Sequence, residues 1–356
     1  MQRLCLAEPP SALFGKTIRV LELQRKYWNI KRRGRALQQG QRSELCVFDI
    51  ERGCTTVLLA IDEVIEAPNW TPDGTTMLVN AGGDLWLVRV DGSAKPTKLD
   101  AGTVDSFNND HVLSPDGRSI YASSDDGHIY GLPITGGLPR RISSPQDHPH
   151  HCYLHGISPD GTTLVYVAVE ELAGKKRSNI FTLPVEGGAS QRVTDLDLPH
   201  DGPEYSPDGN WIFFNSERAS PRHSQCFRMR SDGSGIQQLT HDERVNWFPH
   251  PSPDGDAVVY LSYPEFTQGH PANRDVILRL MKPDGTDQRD LVALHGGQGT
   301  INVNSWAPDG TRFAFVAYPI SAAQGKASGI GDACRQQASE FYRCSRATPG
   351  RAVRGS

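Results

Sequence analysis

Short apolar runs alternate with polar turns along most of this chain, and the alternation repeats. Six runs stand out: Met77-Leu78-Val79, Ile120-Tyr121-Ala122, Leu164-Val165-Tyr166-Val167, Trp211-Ile212-Phe213-Phe214, Val258-Val259-Tyr260-Leu261 and Phe313-Ala314-Phe315-Val316. They are rich in β-branched and aromatic residues and too short for helices, so each predicts a buried strand. A second apolar run follows the first five, as in Leu85-Trp86-Leu87-Val88 and Val276-Ile277-Leu278-Arg279-Leu280. The same turn phrase stands ahead of every first run. It reads Thr71-Pro72-Asp73-Gly74, Ser114-Pro115-Asp116-Gly117, Ser158-Pro159-Asp160-Gly161, Ser206-Pro207-Asp208-Gly209, Ser252-Pro253-Asp254-Gly255 and Ala307-Pro308-Asp309-Gly310. In each copy Pro presets φ, Asp caps the local backbone and Gly takes the positive φ. The phrase returns every 43–55 residues, a period that marks a repeat architecture.

A further Gly turn follows the second run, as in Asp91-Gly92, Gly136-Gly137, Gly187-Gly188, Asp232-Gly233 and Asp284-Gly285. A polar-apolar strand such as Gln191-Arg192-Val193-Thr194 then closes the unit. One unit is therefore four antiparallel strands, the blade of an all-β propeller. The sixth unit lacks its second strand pair after Tyr318. The missing pair is legible near the N-terminus, as Leu45-Cys46-Val47-Phe48-Asp49 and Thr55-Thr56-Val57-Leu58-Leu59. The expectation is a six-bladed β-propeller over residues 42–320, its ring closed by N-terminal strands that complete the last blade. Closure removes strand edges that would template aggregation. A basic extension, 1–41, precedes it. The tail, 321–356, is poor in apolar residues and is expected to be disordered.

The Pro-Asp-Gly repeat resembles that of the TolB-type, WD-repeat-like propeller family, across roughly residues 42–320. The small domain that TolB carries ahead of its propeller is not evident in this sequence. The resemblance implies that the first strand of each blade starts beside a central channel and runs to the Pro-Asp-Gly turn. Loops before the first strands and between second and third strands then share one face. All twelve His fall on that face. His111, His148, His150, His151, His155, His200, His241, His250 and His295 precede first strands, and His128, His223 and His270 lie between second and third strands. Loops gathered on one face of a rigid scaffold are where function concentrates.

The residues just before each Pro-Asp-Gly are the expected channel mouth. The binding candidates are Asn69, Asp110, Asp201, Glu204, Asn246, Trp247, Asn302 and Asn304, with Trp70, Asn109 and Trp306 nearby. Polar groups beside tryptophans suit a sugar or another small polar ligand. Imidazole with oxygen donors suits one divalent ion, manganese, zinc, nickel or iron. Oligogalacturonide lyases are also propellers, and similarity to them implies metal ligands at His155, His200, His250 and Gln298. It also implies His111 as general base, Asp201 or Glu204 orienting a ligating imidazole, and β-elimination on a sugar acid. No His follows Gln298 closely, a departure from the lyase ligand loop. The bland alternative is that each imidazole simply hydrogen-bonds a neighbouring blade. Two functions are therefore carried forward. The first is a binding platform for a small polar ligand or a protein partner. The alternative is a metal-dependent uronate lyase.

Charge narrows the partner. The chain is −4 overall, yet residues 1–41 carry nine Lys/Arg against two Glu, and 321–356 carry six against two acidic groups. The propeller keeps 22 basic against 37 acidic residues, the wrong balance for a nucleic-acid binder. No run of apolar residues is long enough to span a membrane. No apolar stretch follows the first charges, so the expected location is cytoplasmic, with the periplasm as the family-based alternative. Seven scattered Cys without a Cys-x-x-Cys pair read as free thiols. Gly-x-Ser-x-Gly and Walker motifs are absent, which excludes serine-hydrolase and P-loop chemistry.

Overall fold

The computed structural model describes residues 21–22, 30, 34–145 and 148–320; the tail read as disordered lies outside them. Among the described residues the structure is strands and turns, arranged as six four-stranded sheets. Blade 1 is β4 (Glu66–Trp70), β5 (Thr76–Ala81), β6 (Asp84–Arg89) and β7 (Thr97–Lys98). Blade 2 is β8 (Phe107–Leu113), β9 (Ser119–Ser124), β10 (Ile129–Pro133) and β11 (Arg140–Arg141). Blade 3 is β12 (His150–Ile157), β13 (Thr163–Leu172), β14 (Lys175–Pro184) and β15 (Gln191–Arg192). Blade 4 is β16 (His200–Tyr205), β17 (Trp211–Ser216), β18 (Gln225–Arg230) and β19 (Gln237–Gln238). Blade 5 is β20 (Val245–Pro251), β21 (Val258–Tyr263), β22 (Ala272–Met281) and β23 (Arg289–Gly297). The first strands β4, β8, β12, β16 and β20 neighbour one another in order, and β4 lies against β24 (Arg312–Ala317). This is the six-bladed propeller the repeat predicts.

The sixth blade is built from both ends of the fold. β2 (Ser43–Asp49) pairs antiparallel with β24, register Leu45↔Val316 and Val47↔Ala314, and β3 (Cys54–Ile61) pairs antiparallel with β2. Two details differ from the regular blade. The outermost strand, β1 (Leu21–Glu22), runs parallel to β3. The innermost position is reduced to a single bridge between Trp306 and Phe313.

Five of the six Pro-Asp-Gly turns, all but the one that follows Ala307, are fastened the same way. The hydroxyl before Pro donates to the Asp carboxylate, at 2.6 Å from Ser114 to Asp116 and 2.5 Å from Ser206 to Asp208. The same Asp oxygen accepts the backbone N–H two residues on, the local closure expected of Asp in a turn. The turns also touch. A Cβ on Gly117 would stand 3.2 Å from Pro72, and one on Gly74 would stand 3.8 Å from Pro308. The Pro of one blade therefore seats against the Gly of the next, except that Gly310 faces the Asp254 carboxylate. Gly at this position serves both the positive φ and the neighbour's approach.

Apolar side chains fill the spaces between blades. Phe48, Phe313 and Phe315 pack with Trp247, Leu261 and Trp306 between blades 5 and 6. Leu45, Val316 and Tyr318 pack with Trp70, Met77 and Trp86 between blades 6 and 1. Since the closing strands contribute to both cores, truncating Phe315, which is 0% exposed, removes buried area at the seam. Phe315→Ala is expected to cost about 3–5 kcal/mol in urea unfolding, while removing the exposed Phe266 side chain changes stability by less than about 0.5 kcal/mol.

Candidate functional site

Every regular first strand is interrupted midway. The ladder slips between Glu66 and Asn69, Phe107 and His111, Leu154 and Gly156, Asp201 and Glu204, and Trp247 and His250. Such bulges re-aim side chains. Three are built on an X-Pro pair: Ala67-Pro68, Gly202-Pro203 and Phe248-Pro249, with positive φ at Ala67, Gly202 and Phe248. At Gly202 a Cβ would meet the Phe248 ring at 2.9 Å and Asn215 Oδ1 at 3.0 Å, so only Gly fits.

The bulges bring together side chains from four blades. His155 Nε2 lies 3.1 Å from Asp201 Oδ1, and His155 Nδ1 lies 3.2 Å from the Asn302 carbonyl oxygen. His270 Nδ1 lies 2.5 Å from Gln298 Oε1, and its Nε2 lies 3.7 Å from Asp201 Oδ2. Gln298 continues the chain to Asn109 (3.4 Å) and accepts from Asn302 Nδ2 (3.1 Å). Asp110 is 4% exposed and interacts with Asn302, but its Oδ1 has no hydrogen-bond partner. Phe248 stacks on His155 at 5.8 Å, and Trp247 packs under His270 at 4.5 Å. Asp110, Asp201, Asn302 and Trp247 thus meet around His155 and Gln298.

Their charges are coupled. Burial alone would lower His155, but the Asp110 and Asp201 carboxylates outweigh it and lift its pKa from 6.5 to about 9. Burial pushes Asp110 up to about 7 against the pull of His155, with Asp201 and Glu66 adding to the rise. Burial also opposes ionisation of Asp201, yet the His155 bond and charge and His270 hold it below the usual carboxylate range.

Glu204, His250 and Asn304 form a separate group. His250 Nδ1 lies 2.5 Å from Glu204 Oε2 and its Nε2 lies 2.8 Å from the Ile301 carbonyl oxygen. Asn304 donates to Glu204 and to the Pro251 carbonyl. The Trp306 indole donates to the His250 carbonyl at 3.0 Å. The other expected site residues stand apart. His111 is 0% exposed and faces the Leu78 and Ala67 carbonyls of blade 1 without a close hydrogen bond; burial lowers its pKa to about 4. His200 contacts Ser216 Oγ at 2.7 Å and is lowered to about 4 by burial and then by Arg218. Asn246 is tied to Gln225, Asp242 and Ser262 between blades 4 and 5. Asn69 donates to the His111 carbonyl at 3.4 Å. His111, His155, His200 and His250 lie within first strands, not in the loops ahead of them.

The expected metal set is therefore not assembled. Among the described residues, His155, His200 and His250 do not form a group of ligand atoms close enough to share an ion. At His155 and His250 both ring nitrogens face oxygen acceptors. Either nitrogen would have to give up its oxygen partner to bind a metal. A neutral, enclosed His111 is likewise no partner for a proton on a substrate.

Sequence reasoning missed the rim. Arg35 reaches over the mouth from the N-terminal extension. Its guanidinium donates to the Gln298 carbonyl (2.6 Å) and Asn273 Oδ1 (3.0 Å), lies 3.8 Å above the Tyr318 ring and is 3.6 Å from Glu66. Burial raises Glu66 against the charge of Arg35. Beside this rim is a cleft of about 490 Å³, lined by Arg35, Glu66, Asn80, Asn109, Asp125 and Gln298. The X-Pro pairs upstream of three turns were the available signal for those bulges; nothing local marked Arg35.

Comparison with known proteins agrees with this architecture. The TolB beta propeller domain is matched over residues 156–278. The chain is 41% identical over 282 residues to uncharacterized protein Atu1656 of Agrobacterium fabrum, covering 78% of this chain and 92% of that one. It superposes on the structure of a putative TolB from Agrobacterium tumefaciens with TM-score 0.72 and 39% identity, over 78% of this chain and 99% of that chain. It is 24% identical over 262 residues to the Tol-Pal system protein TolB of Francisella tularensis, over 71% of this chain. The match spans 56% of that relative's length. An oligogalacturonate lyase in complex with manganese shares the fold at TM-score 0.50 and 17% identity, over 74% of this chain and 75% of that one. No helix among the described residues is long and apolar enough to cross a membrane.

The coupled charges set the pH response. His155, raised in the folded state, stabilises fully below pH 6.5, and that contribution is lost as pH rises through about 9. Asp110, also raised, makes ionisation unfavourable, so its part is lost between pH 3.8 and about 7. Both act in one direction. The melting temperature is expected to fall from pH 6 to 9, and His155→Gln to flatten the upper part of that slope. An equal slope in the variant refutes the assignment.

Proposed function

The chain belongs to the TolB β-propeller family, and we propose that it acts as a binding platform whose channel mouth receives a protein partner. One observation carries the reading. Side chains from four blades converge on a buried charged network with an unpartnered Asp110 oxygen, and two members, Asn109 and Gln298, also line the open cleft. A rigid, concave polar surface with few convergent groups is what a binding site requires.

The mouth also illustrates the chemistry it accepts. Arg35 sits there on a carboxylate, two oxygen acceptors and an aromatic face. A basic side chain of a partner meets similar acceptors along the cleft, where Asp125 adds a carboxylate. Relatives named as Tol-Pal system proteins make a protein partner the preferred occupant over a free sugar acid. They also favour the periplasmic alternative, and the comparisons lend the cytoplasmic expectation no support. The metal-dependent lyase reading has less behind it, since its ligands do not converge.

Site-specific photocrosslinking from the two faces tests the proposal. A crosslinker at Asn109 or Gln298 is expected to capture a protein in cells of the source organism. The same group at Asp232, on the opposite turn face, is expected to capture none. Equal capture at both faces, or none at the mouth, overturns it. Turnover of oligogalacturonate with added manganese, seen as ultraviolet absorbance of an unsaturated product, would replace it with the lyase reading.

A further inference from the structure

A second histidine cluster lies on blade 3, outside the channel network. His148-Pro149-His150 leads into β12. Pro149 restricts His148 to extended backbone, and residues two apart on an extended chain share a face. His150 is directly opposite Glu170 on β13, and paired residues of adjacent strands also point to one face. Local geometry thus aims all three side chains at one point.

The distances bear this out. His148 Nε2 lies 3.0 Å from Glu170 Oε1 and His150 Nδ1 lies 3.7 Å from the same oxygen. One ligand atom from each of the three residues lies within 4.8 Å of the other two. Ligand atoms about 2.1 Å from a tetrahedral zinc stand about 3.4 Å apart, so the observed spacings need only small adjustments. The side chains of His150 and Glu170 are 8% and 2% exposed, while that of His148 is 29% exposed, leaving the solvent side open.

An ion-pair reading explains only part of this cluster. Arg192 Nη2 lies 2.9 Å from Glu170 Oε1 and 2.7 Å from Oε2, with its guanidinium 4.6 Å from the Phe181 ring. Arg192 and His148 satisfy Glu170 Oε1, while Oε2 has no hydrogen-bond partner. They do nothing for His150 Nδ1, which is buried, aimed at the cluster and without a hydrogen-bond partner.

We propose that His148, His150 and Glu170 form a divalent-metal site of the zinc class. Glu170 supplies a carboxylate oxygen, while the Arg192 guanidinium, 2.9 Å from Oε1 and 2.7 Å from Oε2, fixes the carboxylate. Water completes the coordination on the His148 side. Two imidazoles and one carboxylate favour zinc over manganese.

The test is zinc titration by calorimetry into untagged, chelator-stripped full-length protein, with bound metal counted by mass spectrometry. The expected result is one zinc per chain, binding more than about tenfold weaker in His148→Ala and in His150→Ala. His151→Ala, whose ring stacks on Tyr153 at 4.7 Å, is expected to bind as the wild type does. The more exposed His148 provides the variant least able to disturb folding, checked by circular dichroism. No zinc uptake by the wild type, or uptake unchanged in both His148→Ala and His150→Ala, overturns the site.

Discussion

The pairing of β2 with β24 is the constraint on which the rest depends. Without it the last blade is a lone strand and a bridge, and blades 5 and 1 lose the wall they pack against. Six backbone pairs, from Glu44↔Ala317 to Asp49↔Arg312, join residues far apart in sequence. They close a ring whose first strands otherwise neighbour one another in chain order. The loop entropy of joining the two ends grows only slowly with length, whereas the seam buries Phe48, Phe313 and Phe315 on one side and Leu45 and Val316 on the other. The Pro-to-Gly contacts of the turn face repeat the same closure on a smaller scale.

A closed ring also creates the channel mouth. First strands held side by side face one another across the centre, so a bulge in each turns polar groups inward. Those groups cannot all reach water. They therefore satisfy one another, as His155 does between Asp201 and the Asn302 carbonyl, and as His250 does between Glu204 and the Ile301 carbonyl. This mutual satisfaction fixes the shape of the surface and removes those imidazoles from metal chemistry. The rim stays open, where Gln298, Asn109 and Glu66 line the cleft.

Blade 3 shows the opposite outcome. Its central hairpin is longer than those of its neighbours, since β13 and β14 each span ten residues. The extra length carries Glu170 past the central network to the level of His148 and His150. There a buried carboxylate is shared by Arg192 and two imidazoles, with one ring nitrogen left over.

The architecture was legible in local chemistry alone. Six Pro-Asp-Gly turns and the apolar runs behind them specify blades, because turn chemistry and a period of two act over a few residues. The displaced strand pair at Leu45 and Val57 even specifies how the ring closes. Only the tertiary structure decided the site. Asn302, Asp201 and Asp110 were identifiable as mouth residues because their place in the repeat is local information. Whether His200 and His111 join them was not, since that depends on a bulge and on which neighbouring blade receives the ring. Both turned into enclosed, neutral groups between strands. Arg35 was invisible for the same reason: its partners Asn273, Gln298 and Tyr318 lie more than 230 residues away, and only folding brings an extension of the chain across the mouth of its own channel.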